Sequence, residues 1–160
     1  MRGGTFSTRF VDPYLRLHRL VYERTDGRIG KHSMRVPALL LTTTGRRTGE
    51  PRTVGLTYCL DRGDVVVVAS NGGSDRHPGW YHNIVADPHV TVRLGRRVVG
   101  GTARVATPDE RAALWPAVNR SSRGFAPVVH RGVWGRYDVY QRHTDRELPV
   151  VIIRLDRPGE

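Results

Sequence analysis

The chain has 160 residues, of which 38% are hydrophobic; this suits one domain with a single core and excludes a disordered chain. No apolar run approaches the roughly 20 residues that cross a bilayer, and residues 1–10 lack the apolar core of a secretory signal, so we expect a cytoplasmic protein. The net charge of +11 comes almost wholly from arginine and predicts an anionic partner, which the charge alone does not identify.

The first predicted element is a basic amphipathic helix over residues 13–24. Asp12 suits the N-cap and Pro13 suits the first helical position, and apolar side chains then recur every three or four residues between arginines. Such a helix packs on a core or docks on an anionic membrane, so peripheral membrane contact stays open. We treat residues 1–35 as a lead-in and residues 36–160 as the single domain.

The rest of the chain predicts an antiparallel sheet with helices between its strands. Runs rich in β-branched residues and closed by turn residues predict strands at residues 37–44, 52–60, 65–69, 90–94, 97–105 and 149–155. The run 65–69 is continuously apolar, which predicts a strand deep in the sheet. Helix signals, including a capping box that begins at Thr107, lie at residues 78–86, 107–119 and 133–143. Strand pairs joined by tight turns favour a mainly β, α+β fold, an antiparallel sheet or barrel decorated by helices. The lone Cys59 lies in one of these strands, so we expect a buried thiol and no internal disulfide.

The turn after the first long strand has the composition of an anion site. Residues 42–52 combine four threonines, two glycines and three arginines, and their hydroxyl, backbone N–H and guanidinium groups are what a phosphate needs. This is not a Walker A loop, because Glu50 follows the second glycine where lysine is required. From the residues alone, a hairpin loop with solvated arginines is an equal alternative.

Two later segments are rich in aromatic residues. Residues 77–83 place Trp, Tyr, His and Asn on one helical turn, where they either bind a ring or pin the helix to the sheet. Trp134, Tyr137 and Tyr140 recur at helical spacing and form either a pocket wall or part of the core. The histidines lack metal-ligand spacing, and neither a serine-hydrolase elbow nor a nucleic-acid-binding motif is present, so we expect no metal site and no nucleic-acid partner.

In this order and spacing, these segments resemble the deazaflavin-dependent nitroreductase family. The matching motifs are LLLTTTGRRTG with the following Pro-Arg at residues 39–52, ASNGG at 69–73, WYHN at 80–83, and YQRHTDR with a later proline at 140–149. The resemblance covers residues 36–155 and implies a split β-barrel. It also implies an oxidoreductase that passes a hydride from coenzyme F420, whose tail carries a phosphodiester and several glutamates, to an organic acceptor such as a quinone or a nitro compound.

The resemblance further implies which residues contact the cofactor and the acceptor. The implied anionic-tail ligands are Arg46, Arg47, Thr48 and Arg52. The remaining implied cofactor contacts are Thr53, Val54, Gly55, Leu56, Thr57, Val68, Ala69, Ser70, Asn71, Gly79, Trp80, Tyr81, His82, Asn83 and Tyr137. The implied substrate side consists of Ser70, Trp134 and Tyr140. No catalytic residue is assigned, because the deazaflavin carries the hydride chemistry and solvent can supply the proton.

Two departures from the family concern the acceptor. The stretch 121–131 is longer than the family norm, and Trp134 stands where a tyrosine is expected, so a quinone is as reasonable an acceptor as a nitro compound. The alternatives are an FMN-binding split-barrel oxidoreductase and a non-catalytic deazaflavin carrier. FMN has only one phosphate, and three arginines exceed what it demands. A homodimer is an open expectation.

Overall fold

The computed structural model of the protein describes residues 36–121 and 137–157, together with Leu20, Arg24 and His32–Ser33. The N-terminal helix predicted at 13–24 therefore lies almost wholly outside the described residues. Trp134 and all but the first residue of the 121–131 stretch lie outside them as well. The division of the chain at residue 35 stays a prediction. None of the described helices combines the length and the apolarity needed to span a membrane.

The described strands form one antiparallel sheet. In chain order they are β1 His32–Ser33, β2 Val36–Thr44, β3 Pro51–Thr57, β4 Cys59–Asp61, β5 Asp64–Val68, β6 His89–Leu94, β7 Arg97–Val105 and β8 Val150–Leu155. They pair in the order β1, β2, β6, β7, β8, β5, β4, and β3 pairs with β2. Every pairing is antiparallel, which confirms the predicted sheet.

The two edges of this sheet are consecutive in the sequence. Among the described strands, β3 pairs only with β2 and β4 only with β5, and Tyr58 alone separates them. A flat sheet would place edges six strand spacings apart at about 29 Å, whereas two residue steps span about 7 Å. The sheet must therefore curl until its edges meet without pairing, which is the predicted split barrel.

The single strand predicted over residues 52–60 is wrong at one position. The Tyr58 N–H donates to the carbonyl of Pro37 at 3.2 Å, which continues the β2–β3 register by one residue beyond the last ladder pair, and the chain then changes partner from β2 to β5. A change of partner leaves no local signal, because both halves of the segment are equally β-prone.

Two apolar clusters lie on the two faces of the curled sheet. Along β5, Val65 and Val67 belong to the interior cluster, while Val66 and Val68 belong to the cluster on the opposite face. All four are at most 4% exposed, which confirms the predicted deeply buried strand. Cys59 is half-buried against the second cluster instead of fully buried, and burial raises the pKa of its thiol.

Three described helices decorate the barrel: α1 Gly79–Ala86, α2 Pro108–Ser121 and α3 Tyr137–Gln141. The predicted capping box at the start of α2 is present, because the Glu110 carboxylate accepts from the Thr107 N–H at 2.9 Å and the Glu110 N–H donates to the Thr107 hydroxyl at 3.3 Å. The helix predicted over 133–143 is described only from Tyr137, and there it ends at Gln141.

Candidate functional site

The predicted turn between β2 and β3, here named the arginine turn, comprises residues 45–50. The Gly45 N–H donates to the Glu50 carbonyl at 2.8 Å, and the Gly49 N–H donates to the Gly45 carbonyl at 2.7 Å. Gly49 has a φ of +71°, in the left-handed region that side chains disfavour. Backbone hydrogen bonds therefore close the turn without help from its arginine side chains.

A buried asparagine fixes the arginine turn to the barrel. Asn83 of α1 is 6% exposed; its Oδ1 accepts from the Arg46 N–H at 3.1 Å, and its Nδ2 donates to the Thr43 hydroxyl at 3.0 Å. The sequence left open whether Asn83 bonds a ligand or the backbone. The structure gives it a bracing contact to the backbone of the turn itself.

Three arginines lie at this place in the fold, two within the turn and one on the adjoining strand β3. Arg46, Arg47 and Arg52 are all exposed, and none pairs with a carboxylate of the described residues. Arg52 lies opposite Thr43 in the β2–β3 ladder, on the face that also carries the Asn83 brace. Unpaired like charges held together on a rigid support attract an anion, and a ligand with several anionic groups would engage more than one of them.

The edge strand β3 leads away from these arginines. Its Val54 and Leu56 pack against the interior cluster. Thr53 and Thr57 point to the other face, where they hydrogen-bond Thr42 at 2.8 Å and Tyr137 at 2.6 Å between side-chain oxygens. Seven extended residues span about 23 Å. One strand thus connects the arginine turn to the tyrosines of α3.

Tyr137 and Tyr140 are neighbours on α3, with ring centroids 6.3 Å apart. Burial raises the pKa of the Tyr137 hydroxyl, and burial together with Tyr137 raises the pKa of Tyr140 to about 12. Both hydroxyls are therefore protonated at neutral pH. Trp134, the third predicted aromatic residue, lies outside the described residues.

Residues 69–77, here named the Ser70 loop, lie directly against α3. A 3₁₀ turn covers Asn71–Gly73, and a Cβ at Gly73 would meet the Tyr140 carbonyl oxygen at 2.8 Å. The loop and the helix thus touch backbone to backbone. This contact brings the predicted substrate residues Ser70 and Tyr140 onto adjoining segments.

Arg146 holds the Ser70 loop in place, a role that the sequence alone does not predict. Its guanidinium donates to the carbonyls of Ser70 and Ser74 at 2.7 Å each and to that of Ala69 at 3.2 Å, and its Nη1 lies 3.0 Å from His77 Nδ1. The only signal was its place in the 140–146 motif. Its partners lie about 70 residues earlier, where no local pattern points to them.

The aromatic side chains in and just before α1 differ in how deeply they are buried. Trp80 is 7% exposed within the interior cluster, so it pins the helix, as the alternative interpretation held. Tyr81 stacks on His77 with centroids 4.5 Å apart, and His82 meets both rings edge-on at 5.8–5.9 Å. All three rings are half-buried, Tyr81 against the interior cluster, and their exposed parts can line a site.

Several predicted contacts are available only through the backbone. The side chains of Val68 and Ala69 are 4% and 0% exposed, so a ligand would reach only their main-chain atoms. Gly55 and Gly79 have only main-chain atoms to offer. Thr48 and Asn71 are exposed at the arginine turn and the Ser70 loop respectively.

A groove of about 290 Å³ lies beside the arginine turn. Its lining comprises Thr42, Thr43, Thr44, Gly49, Pro51, His89, Val90 and Thr91. The first five belong to the segment 42–52 whose composition predicts an anion site, although the family resemblance implies none of the eight as a ligand contact. Within the described part of the chain, no group of three His, Cys, Asp or Glu side chains could hold a metal ion.

Comparison with known proteins gives concordant matches over most of the chain. A family model described as F420H(2)-dependent quinone reductase matches residues 14–154. The F420H(2)-dependent quinone reductase Rv1261c of Mycobacterium tuberculosis is 42% identical over 142 residues, which are 87% of this chain and 88% of that protein. A solved structure of an F420-H2 dependent reductase, FDR-A, superposes with a TM-score of 0.61 at 35% identity and covers 74% of this chain and 94% of its own. Another, described as a domain-swapped dimer, has a TM-score of 0.61 at 33% identity and covers 92% and 98% respectively.

Proposed function

This chain belongs to the F420H(2)-dependent quinone reductase family, and from that premise we propose that it transfers a hydride from reduced F420 to a quinone. The observation that carries the proposal is the arginine turn. Arg46 and Arg47 lie on this turn, which Asn83 braces, and Arg52 lies on the adjoining strand β3; all three are exposed and have no carboxylate partner among the described residues. A polyanionic tail is the ligand that such a cluster suits best.

The protein's part in cofactor binding follows from the connection along β3. With the tail held at the arginine turn, the edge strand Pro51–Thr57 offers main-chain groups along the path to Tyr137. Bound reduced F420 supplies the hydride. The chain holds the tail at the arginine turn and provides a fixed surface at Tyr137, so that the hydride donor and the acceptor meet in one geometry.

The acceptor side is formed by Ser70 and Tyr140. Hydride transfer to a quinone leaves negative charge on a quinone oxygen, and a hydrogen-bond donor at that oxygen stabilises the transition state. The Tyr140 hydroxyl, whose pKa is raised from its ordinary value to about 12, is protonated at neutral pH. The proton that completes the quinol can come from solvent, so neither residue needs to ionise.

The direct test is turnover by the purified protein. Mixed with reduced F420 and a soluble naphthoquinone without oxygen, it is expected to restore the absorbance of oxidised F420 in proportion to quinone consumed. Titrations with F420 and with FMN, followed by tryptophan fluorescence, test the cofactor. Tight F420 binding without quinone turnover would favour the carrier, and FMN binding without F420 binding would reject the proposal.

Replacing Tyr140 with phenylalanine is expected to lower kcat for the quinone about five- to tenfold while leaving the dissociation constant for F420 unchanged. The hydroxyl lies on the acceptor side, whereas the tail is anchored at the arginine turn. Stopped-flow turnover and F420 titration give the two quantities separately. Equal losses in both would mean that Tyr140 contacts the cofactor instead.

Removing the brace in the variant Asn83→Ala is expected to weaken F420 binding about tenfold, because the Arg46 N–H and the Thr43 hydroxyl lose their buried partner and the turn loses its support. Val85→Ala, on the exposed side of the same helix, is the matched control. Unaltered F420 affinity in folded Asn83→Ala protein would show that the brace does not shape the tail site.

The relative described as a domain-swapped dimer supports a homodimer for this chain. Light scattering on the eluting protein measures the mass directly. A mass near 18.0 kDa at micromolar concentration would rule the dimer out.

A further inference from the structure

The side chain of Arg146 links the Ser70 loop to the start of α1. Arg146 donates to the carbonyls of Ala69, Ser70 and Ser74 and also contacts the ring of His77. All four partners belong to the Ser70 loop. The fourth, His77, carries the ring that stacks on Tyr81 at the start of α1.

The arrangement is specific to a guanidinium. Arg146 uses Nε, Nη1 and Nη2 together, and its partners diverge from one planar fork. A lysine ammonium keeps the charge but cannot reach four acceptors at these separate positions. The other turn arginine, Arg142, is exposed, and its hydrogen bonds to described residues are all made by its backbone N–H, so it offers a control of equal charge a few residues away.

The base of Arg146 is itself fixed. Gln141 donates to the Arg146 carbonyl at 2.8 Å and accepts from the Leu148 N–H at 2.9 Å, and Arg111 of α2 donates to Gln141 at 3.0 Å. The guanidinium is therefore presented from a rigid turn. Because the backbone at Arg146 is held in place, a change in the contacts of the guanidinium group is expected to displace the Ser70 loop and not Arg146.

We propose that Arg146 is the positioning residue of the acceptor site. Its hydrogen bonds to the Ser70 loop, including the one to His77, fix the position of Ser70 relative to Tyr140 and to α1. The proposal rests on the proposed quinone reductase function. Arg146 touches neither the Ser70 hydroxyl nor a reacting atom; it acts through the main chain of the loop. A displacement of Ser70 by about 1 Å is enough to cost up to a hundredfold in rate.

His77 makes this arrangement sensitive to pH. Its Nδ1 accepts from Arg146, which requires the neutral ring, and the groups that face it are Arg146, His82 and Tyr81. Burial, then Arg146, then His82 lower the pKa of His77 below 6.5. Asp75 attracts Arg146 but is itself bound by the Thr144 hydroxyl at 2.8 Å. Protonation of His77 removes the acceptor and sets two cations side by side.

The test compares Arg146→Lys with Arg142→Lys. Arg146→Lys is expected to lower kcat with the quinone about tenfold to a hundredfold and to lower F420 affinity far less, because the tail is held at the arginine turn, and Arg142→Lys is expected to change neither. Hydrogen exchange of the ligand-free protein at pH 7 provides a readout independent of activity. Amides of residues 69–77 are expected to exchange faster in Arg146→Lys, whereas those of β5 are not.

The pH profile provides the second arm. In the wild-type protein kcat is expected to fall below pH 6.5, and in His77→Gln, which keeps an acceptor but cannot be protonated, that acid limb is expected to disappear. Three results would overturn the positioning role. They are a wild-type kcat in folded Arg146→Lys protein, a loss of F420 affinity in that variant as large as its loss of kcat, and an acid limb that persists in His77→Gln. If Arg146→Lys fails to fold, the His77→Gln profile decides. An inactive wild-type protein rejects the proposed function, and hydrogen exchange still decides the role of Arg146 in holding the loop.

Discussion

Replacing Arg46 and Arg47 together by alanine is expected to raise the dissociation constant for F420 about a hundredfold. A contact to a charged group is worth roughly 1.5 kcal/mol at the low end, which applies here because both side chains are exposed. Two such contacts give about 3 kcal/mol, or about two powers of ten in Kd. Neither side chain supports the turn, since its closure and its Asn83 brace use backbone groups of the turn, so the fold is expected to stay intact.

The matched control removes the same charge elsewhere. Arg96 and Arg97 are exposed at the β6–β7 turn and belong to no predicted contact set, so Arg96→Ala with Arg97→Ala lowers the net charge equally. Fluorescence titration at two salt concentrations measures both double variants. If the affinity loss comes from contacts with the tail, only the first pair shows it. A comparable loss in the control would mean that the overall positive field, and not the arginine turn, binds the cofactor.

The sequence predicts well those features that local chemistry determines. The arginine turn, the α2 capping box and the buried β5 run were predicted at their observed positions, because glycine conformations, cap side chains and β-branched runs act on near neighbours in the chain. The family motifs supplied the split barrel, which local patterns left as one of two architectures. The break at Tyr58 was missed, because it arises from a change of strand partner and not from the residue itself.

The site was predictable as a set of segments and not as a set of contacts. Trp80 carries the aromatic signal of a ligand contact, yet the structure uses it to pin α1 in the core. Asn83 turned out to brace the turn. The Thr57–Tyr137 hydrogen bond joins residues 80 apart, and the Arg146–Ser70 bond joins residues 76 apart. Such pairings depend on how the barrel closes, and no spacing along one strand or helix encodes them.

The close contact between the Ser70 loop and α3 predicts that Gly73→Ala destabilises the protein far more than Gly72→Ala. Both glycines have positive φ angles, +77° and +63°. Alanine in that region costs about 1–2 kcal/mol, and this is the whole expected effect at Gly72, where an added Cβ meets nothing within 4 Å. At Gly73 the Cβ would also lie 2.8 Å from the Tyr140 carbonyl oxygen, which is backbone and cannot rotate away.

The combined strain at Gly73 is expected to lower the free energy of unfolding by about 3 kcal/mol or more, which in a chain of this size lowers Tm by about 6–12 °C. Thermal unfolding of both variants measures the difference. The effect of Gly72→Ala gives the cost of alanine at a positive φ angle, which is subtracted from the effect of Gly73→Ala. The added Cβ would push the Ser70 loop away from α3 and so separate Ser70 from Tyr140. Folded Gly73→Ala protein is therefore expected to lose quinone turnover while it retains F420 affinity at the distant arginine turn. Equal Tm values for the two variants would mean that the loop does not rest on the Tyr140 backbone, and the acceptor wall would then have to be formed by other residues.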